Sequence, residues 1–274
     1  MTLLLAPAKL TTSLRVLGRR DDGYHLLEAE MVSLDLADEL EIDEGGTGFE
    51  VSDLVDWSGL PGTAPPDATA GLSAEPGSNL VERALLLCGR RAACTLKKRI
   101  PPGAGLGGGS SDAAAILRWA GTTDLSLAAQ LGADVPFCVI GGTARVSGIG
   151  EVVEPLEPSG DPEVAFLLVT PRLRVSTPVV YAAWDDLGGP RGAHGNDLEP
   201  AALEAYPGLR WWRDLLGAAA GVRPRLAGSG GTWFVEGDAS RLEALGEQVR
   251  SEIVAGRESA FVRSTRRASL PGAG

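Results

Sequence analysis

Residues 101–117 read PPGAGLGGGSSDAAAIL, and five of the seven positions from 103 to 109 are glycine: Gly103, Gly105, Gly107, Gly108 and Gly109. Glycine reaches positive φ without steric cost and lets a ligand approach the main chain, so successive N–H groups can converge on one point. Ser110, Ser111 and Asp112 then open a run of small and apolar residues that predicts a helix over 110–119. A helix start adds unpaired N–H groups and partial positive charge. Loop and helix together predict a phosphate-binding turn.

Two familiar phosphate loops fit poorly. A Walker A loop ends in Gly-Lys-Ser/Thr, whereas Ser110 follows Gly109 directly. Gly103, Gly105 and Gly108 have G-x-G-x-x-G spacing, but two prolines precede them and the acidic residue expected roughly twenty positions later is not convincingly placed.

Outward from the loop, Ala93 to Ile100 predicts a strand, and Asn79 before LVERALLLCGR predicts a capped helix. Nearer the N-terminus, Leu3 to Ala6, Thr11 to Leu17 and Met31 to Ile42 are strand-like, with Val32, Leu34 and Leu36 alternating with polar residues, so an antiparallel or mixed sheet is expected. Ser58 to Ser78 is rich in Pro, Gly, Ala and Ser without periodicity and is expected as a surface excursion. Beyond Gly150, strands are expected at Glu151 to Leu156, Val164 to Thr170, Thr232 to Val235 and Ser259 to Arg263. Helices are expected after Ser176-Thr177-Pro178, over Leu209 to Ala220 and over Ala239 to Val254, and a glycine turn at Ala227 to Gly231. The alternation lacks a regular βαβ rhythm, which favours an α+β fold, divided into domains 1–150 and 151–274. Trp211 and Trp212 are expected at a core and surface edge, and Arg263, Arg266 and Arg267 as a solvated basic end.

The 274 residues are 44% hydrophobic and 22% charged, as in an ordinary globular protein. With 36 acidic against 25 basic residues, the net charge of −11 argues against nucleic acid or an anionic membrane as the main partner. No apolar run is long enough to span a bilayer, and the opening MTLLLAPAKL lacks a charged n-region, so a cytoplasmic location is expected. Cys88, Cys94 and Cys138 form no CxxC pair and only His25 and His194 accompany them, so the thiols are expected buried and free rather than zinc-bound. Asp134, in LGADVPF, stands between apolar neighbours, where desolvation would suit it to accept a proton; a turn or cap before Pro136 is the competing reading.

The loop resembles the P-x-x-x-G-L-G-G-G-S-S motif of the GHMP kinases, ATP-dependent kinases of small molecules. Further words of the family follow in its order along nearly the whole chain: Ala6-Pro-Ala-Lys9-Leu10, Gly18-Arg-Arg-Asp-Asp-Gly-Tyr24-His25, Asn79-Leu80-Val81, Lys98-Arg99-Ile100-Pro101, Leu131-Gly-Ala-Asp134-Val-Pro136, Thr177-Pro178, Asn196-Asp197-Leu198-Glu199-Pro200 and Gly228-Ser229-Gly230. The two N-terminal words resemble those of members that phosphorylate the 2-hydroxyl of a cytidine-diphosphate-linked methylerythritol in non-mevalonate isoprenoid biosynthesis. A homoserine- or mevalonate-type kinase, or a degenerate nucleotide-binding relative, is the alternative.

The resemblance implies a two-domain α+β fold with the active site in the interdomain cleft, and ATP and Mg²⁺ as cofactors. It implies that Pro101, Gly103, Gly105, Leu106, Gly107, Gly108, Gly109, Ser110 and Ser111 surround the phosphates, with either serine near the metal, whose ligands stay open. Asn79 corresponds to an adenine-contacting position, and serves equally as a helix cap. Asp134 is implied as the base that takes the hydroxyl proton, and Lys9 as its cationic partner. Tyr24 and His25 are implied to read cytosine, with Tyr181 as a second aromatic wall and Gly228, Ser229 and Gly230 closing over the substrate. Thr11 stands where the family has Asn, and the segment from Ser111 to Asp134 is shorter than in the family. The expected partner is the small-molecule substrate alone, with the protein a monomer or homodimer.

Overall fold

A computed structural model of the chain describes residues 1–59, 79–122, 124–157, 164–256 and 258–268. In chain order the first half holds β1 (Thr2–Arg19), β2 (His25–Asp43), β3 (Phe49–Asp53), β4 (Trp57–Gly59), α1 (Leu80–Leu87), β5 (Ala93–Lys98), α2 (Gly108–Trp119), α3 (Leu125–Leu131), α4 (Val135–Ile140) and β6 (Thr143–Gly148). The second half holds β7 (Val152–Pro155), β8 (Val164–Pro171), α5 (Thr177–Asp186), α6 (Glu199–Ala205), α7 (Leu209–Ala220), β9 (Arg225–Leu226), β10 (Trp233–Asp238), α8 (Ala239–Ala255) and β11 (Ser259–Arg266).

The long β1–β2 hairpin organises the first sheet. One edge of β2 carries β1, while the other carries β6 against Leu27–Val32 and β5 against Glu39–Asp43. β3 joins β5 in parallel and β7 joins β6, so the sheet is mixed. The two strands expected at the N-terminus are one. Pro7 is accommodated because the pairing register slips between Pro7 and Lys9, and again between Thr11 and Ser13. These slips also sort the side chains: Ala6 and Leu14 pack with the helices, whereas Ala8 and Leu10 between them pack in a smaller second core.

The second sheet runs β4-β11-β8-β10-β9. Its central strand β8 is buried on both faces and alternates between the two cores, with Ala165, Leu167 and Val169 in the larger and Phe166 and Leu168 in the smaller. The smaller core also takes Ile100, Ala104 and Leu106 from the glycine loop and Ala227 and Phe234 from the second half. Both halves of the chain thus close on the back of that loop. β4 crosses over, since Trp57–Gly59 pairs with β11, and residues 60–78 of the expected surface excursion lie outside the described residues. Arg263 and Arg266 lie in β11 with exposed side chains, solvated as expected, while Arg267 is partly buried over the Phe166 ring. Trp212 is buried and Trp211 is half exposed, as expected. Cys94 and Cys138 are buried, Cys88 is partly buried, and all three are free.

Candidate active site

The glycine loop alternates its backbone. Gly103, Gly105 and Gly107 have φ of 69°, 77° and 68°, and Gly107 is the left-handed cap from which α2 starts, two residues earlier than expected. No side chain caps α2, so its first N–H groups stay available to an anion. The loop also needs glycine for space. A Cβ on Gly105 would meet the Gly230 carbonyl oxygen at 2.6 Å, and one on Gly107 would meet Lys9 Cγ at 2.6 Å. From behind, Leu106 is buried with its carbonyl accepting from the Lys9 N–H at 3.0 Å, and the buried Ser111 hydroxyl donates to the Pro7 carbonyl at 2.6 Å. Leu106 and Ser111 therefore fix the loop's shape and Pro101 is buried at its start, while Gly109 and Ser110 lie nearer its surface.

Lys9 is 5% exposed, and its ammonium reaches two partners: Thr11 Oγ1 at 3.1 Å and Asp134 Oδ2 at 3.3 Å. Asp134 occupies the cap position of α4, yet its side chain makes no capping bond; the carboxylate turns to Lys9 and stays about one-third exposed. Its apolar neighbours Val135, Pro136, Phe137 and Cys138 are buried behind it, while its carboxylate pairs with Lys9. Thr11 accepts from the ammonium and steadies the lysine. The connection between α2 and α3 is short, but both helices are formed.

The turn from the second half closes the other side. Gly228 has φ of 57°, and a Cβ there would lie 3.6 Å from Thr11 Oγ1 and 3.9 Å from Lys9 Nζ. Asn196, 3% exposed, pins this turn by donating from Nδ2 to the Leu226 and Gly228 carbonyls at 2.8 and 2.7 Å. Thr232 ties it to the glycine loop through the Ala104 carbonyl at 2.7 Å. Ser229 shares a hydrogen bond with Thr177 at the start of α5.

Helix α5 carries an aromatic end. Tyr181, Trp184 and Asp185 stand at i, i+3 and i+4, hence on one face. His25 stacks on Tyr181 with centroids 4.6 Å apart and meets the edge of Trp184 at 5.6 Å. Tyr181 stands one turn along α5 from Thr177, which bonds Ser229 of the Gly228–Gly230 turn, so this end adjoins the turn. Its hydroxyl is pushed up to about 12, by burial first and then by the Asp134 carboxylate. Tyr24 is not in the stack: it is 60% exposed at the hairpin turn.

Beneath the start of α2 lies a buried charge cluster absent from the sequence reading. Lys98 donates to Asp38 and, at 2.7 Å, to Asp112; all three are nearly inaccessible. The second Asp38 oxygen accepts from the Arg99 and Ile100 N–H groups, at 2.5 and 2.8 Å, whereas Asp112 Oδ1 has no partner. A Cβ on Gly108 would lie 3.1 Å from Lys98 Nζ, so the cluster supports the loop. Burial first, opposed by Lys98 and reinforced by Asp38, raises Asp112 to about 7.

The structure thus gathers Lys9, Thr11, Asp134, the glycine loop and Gly228–Gly230 at one place, with His25 and Tyr181 adjoining. Asn79 caps α1, its Oδ1 accepting from the Val81 N–H at 2.8 Å, and the next residue, Leu80, packs on the loop, where a Cβ on Gly109 would lie 3.5 Å from Leu80 Cδ1. Asn196, Trp184, Asp185, Lys98, Asp38 and Asp112 were missed as site residues. Asn196 and Lys98 could have been flagged, by their places in the Asn-Asp-Leu-Glu-Pro and Lys-Arg-Ile-Pro words.

Residues 79–142 match the family model described as the GHMP kinases N terminal domain. The chain is 39% identical over 247 residues to the 4-diphosphocytidyl-2-C-methyl-D-erythritol kinase of Paracoccus denitrificans, covering 84% of each. It is 35% identical over 298 residues to the enzyme of that name from Burkholderia mallei, covering 95% of this chain and 92% of the relative. Among solved structures, a 4-(cytidine 5′-diphospho)-2C-methyl-D-erythritol kinase superposes with a TM-score of 0.70 at 29% identity, over 97% of this chain and all of that one. A homoserine kinase from Cytophaga hutchinsonii, 18% identical with a TM-score of 0.60 over 97% of this chain and 94% of its own, shares the fold. Taken with the glycine loop and the paired Lys9 and Asp134, these identities over most of the chain make it a member of the 4-diphosphocytidyl-2-C-methyl-D-erythritol kinase family, within the GHMP kinases.

Proposed function

We propose that the chain transfers the terminal phosphoryl group of ATP to the 2-hydroxyl of 4-diphosphocytidyl-2-C-methyl-D-erythritol, a step of isoprenoid precursor synthesis. The observation that carries this reading is the Lys9–Asp134 pair, at 3.3 Å, set directly against Gly107 of the phosphate loop. A phosphoryl acceptor must be held in line with the triphosphate and lose a proton as its oxygen bonds phosphorus. Asp134 is exposed enough to meet such a hydroxyl and accepts its proton, while Lys9 holds the hydroxyl and carboxylate together. The glycine loop and the start of α2 direct N–H groups at the phosphates and stabilise charge there. The cytosine end falls at His25 and Tyr181, where a stacked base finds an aromatic wall and polar groups.

Among the described residues no group of three or more His, Cys, Asp or Glu forms a metal cage. That donor set fits Mg²⁺ held mostly by phosphate oxygens and water, with the Ser110 hydroxyl the loop's contribution. Bound there, the ion would offset charge on the transferring group. In this reading residues 1–150 supply the phosphate loop and the Lys9–Asp134 pair, and residues 151–274 close the cleft through the Gly228–Gly230 turn. No helix among the described residues is long and apolar enough to cross a membrane; we place the enzyme in the cytoplasm, as a monomer or homodimer acting on a small molecule rather than nucleic acid. The test is an ADP-release assay with the cytidine-linked substrate beside homoserine, mevalonate and free methylerythritol. Selective turnover of the first supports the reading, and equal or preferred turnover of another alcohol overturns it.

A further inference from the structure

The cytosine end proposed above contains a pairing that the reaction itself does not require. His25 is nearly buried, and its Nε2 lies 2.8 Å from Asp185 Oδ1. The other Asp185 oxygen lies 3.2 Å from the Arg19 guanidinium, a cation that favours an ionised carboxylate. An ionised carboxylate only accepts hydrogen bonds, so the proton of the neutral imidazole sits on Nε2 and the lone pair on Nδ1. Nδ1 has no hydrogen-bond partner among the described residues. Tyr181 and Trp184, from the same face of α5 as Asp185, hold the ring by stacking and by edge contact, so it has little freedom to flip.

From this geometry we infer that Asp185 is a positioning residue that sets the preference for cytosine over uracil by fixing the tautomer of His25. The inference rests on the proposed placement of the base at His25 and Tyr181. The two pyrimidines differ at C4: cytosine presents an amino donor there and uracil a carbonyl acceptor. A lone pair fixed on Nδ1 accepts from the amino group and faces the lone pairs of the uracil oxygen unfavourably. Asp185→Asn keeps the shape but can offer Nε2 a donor in place of an acceptor, which moves the ring proton to Nδ1 and removes the distinction.

The experiment titrates cytidine 5′-diphosphate and uridine 5′-diphosphate into wild type and D185N, both saturated with a non-hydrolysable ATP analogue so that only the sugar-nucleotide site is read. We expect wild type to favour the cytidine compound and the cytidine-to-uridine ratio to fall roughly tenfold or more in D185N, as for loss of one matched hydrogen bond. Affinity for the ATP analogue should stay within a few-fold. Nitrogen-15 spectra of the two histidines, His25 and His194, provide a reading that a merely structural role would not move. They should show the His25 proton on Nε2 in wild type and its transfer or mixing in D185N. An unchanged ratio in D185N, equal wild-type affinities, or a wild-type His25 proton on Nδ1 would overturn the inference. Selective binding that responds to D185N, without turnover of the cytidine-linked substrate, would instead leave the inference standing and sink the proposed reaction.

Discussion

Asp112→Asn isolates the titration of the buried charge cluster under the phosphate loop. In the folded protein Asp112 Oδ2 accepts from Lys98 at 2.7 Å, Oδ1 is buried without a partner, and the group titrates at about 7 rather than 3.8. A carboxyl whose folded value is raised holds its proton longer when folded than when unfolded. Between 3.8 and about 7 the native state therefore binds the extra proton, and stability falls as pH rises through that window, by up to about 1.4 kcal/mol per pH unit. Below it both states are protonated and above it both are ionised, so the contribution is flat outside. Asparagine keeps the acceptor toward Lys98 and does not titrate. Urea unfolding of both proteins, followed by tryptophan fluorescence at steps from pH 4.5 to 8, reads the difference. The variant's stability relative to wild type should rise by about 2–4 kcal/mol across that range. Parallel curves for the two proteins would refute the reasoning and mean that the cluster holds Asp112 ionised throughout.

Two further substitutions probe the cleft from opposite sides. Gly107→Ala forces a side chain onto a backbone at φ 68° and sets its Cβ 2.6 Å from Lys9 Cγ; misplacing the lysine should lower kcat on the order of 10²-fold, with a raised KM for ATP, in steady-state kinetics. Asn196→Ala leaves the Leu226 and Gly228 carbonyls without their donors, and should cost about 1–3 kcal/mol in thermal unfolding while raising KM for the cytidine-linked substrate more than for ATP.

What the sequence revealed is what local chemistry encodes. The glycine spacing, the Asn79 cap before an apolar-periodic helix and the continuous apolar run of β8 are short-range signals, and each element formed near its expected bounds. Lys9 and Asp134 were singled out through words of the family resemblance, and the fold pairs them at 3.3 Å. The Lys98 cluster was hidden because its partners depend on register: pairing Glu39 with Lys97 sets Asp38 beside Lys98 across two strands, and Asp112 arrives from a helix. Asp185 was hidden for a similar reason, since its partner His25 lies 160 residues away. The single strand β1 was read as two because Pro7 is a breaker locally, and only the register slip beside it explains its tolerance. Tyr24 shows the opposite limit: a residue in an informative word whose side chain faces solvent.

The most direct measurement is the single-turnover rate of phosphoryl transfer to 4-diphosphocytidyl-2-C-methyl-D-erythritol by wild type and Asp134→Asn, at saturating ATP and with ATP affinity determined separately. The amide keeps the shape beside Lys9 but does not take a proton, so the rate should fall on the order of 10²–10⁴-fold while ATP affinity stays within a few-fold. Near-normal transfer by the variant, with the protein folded, would contradict Asp134 as the group that receives the hydroxyl proton.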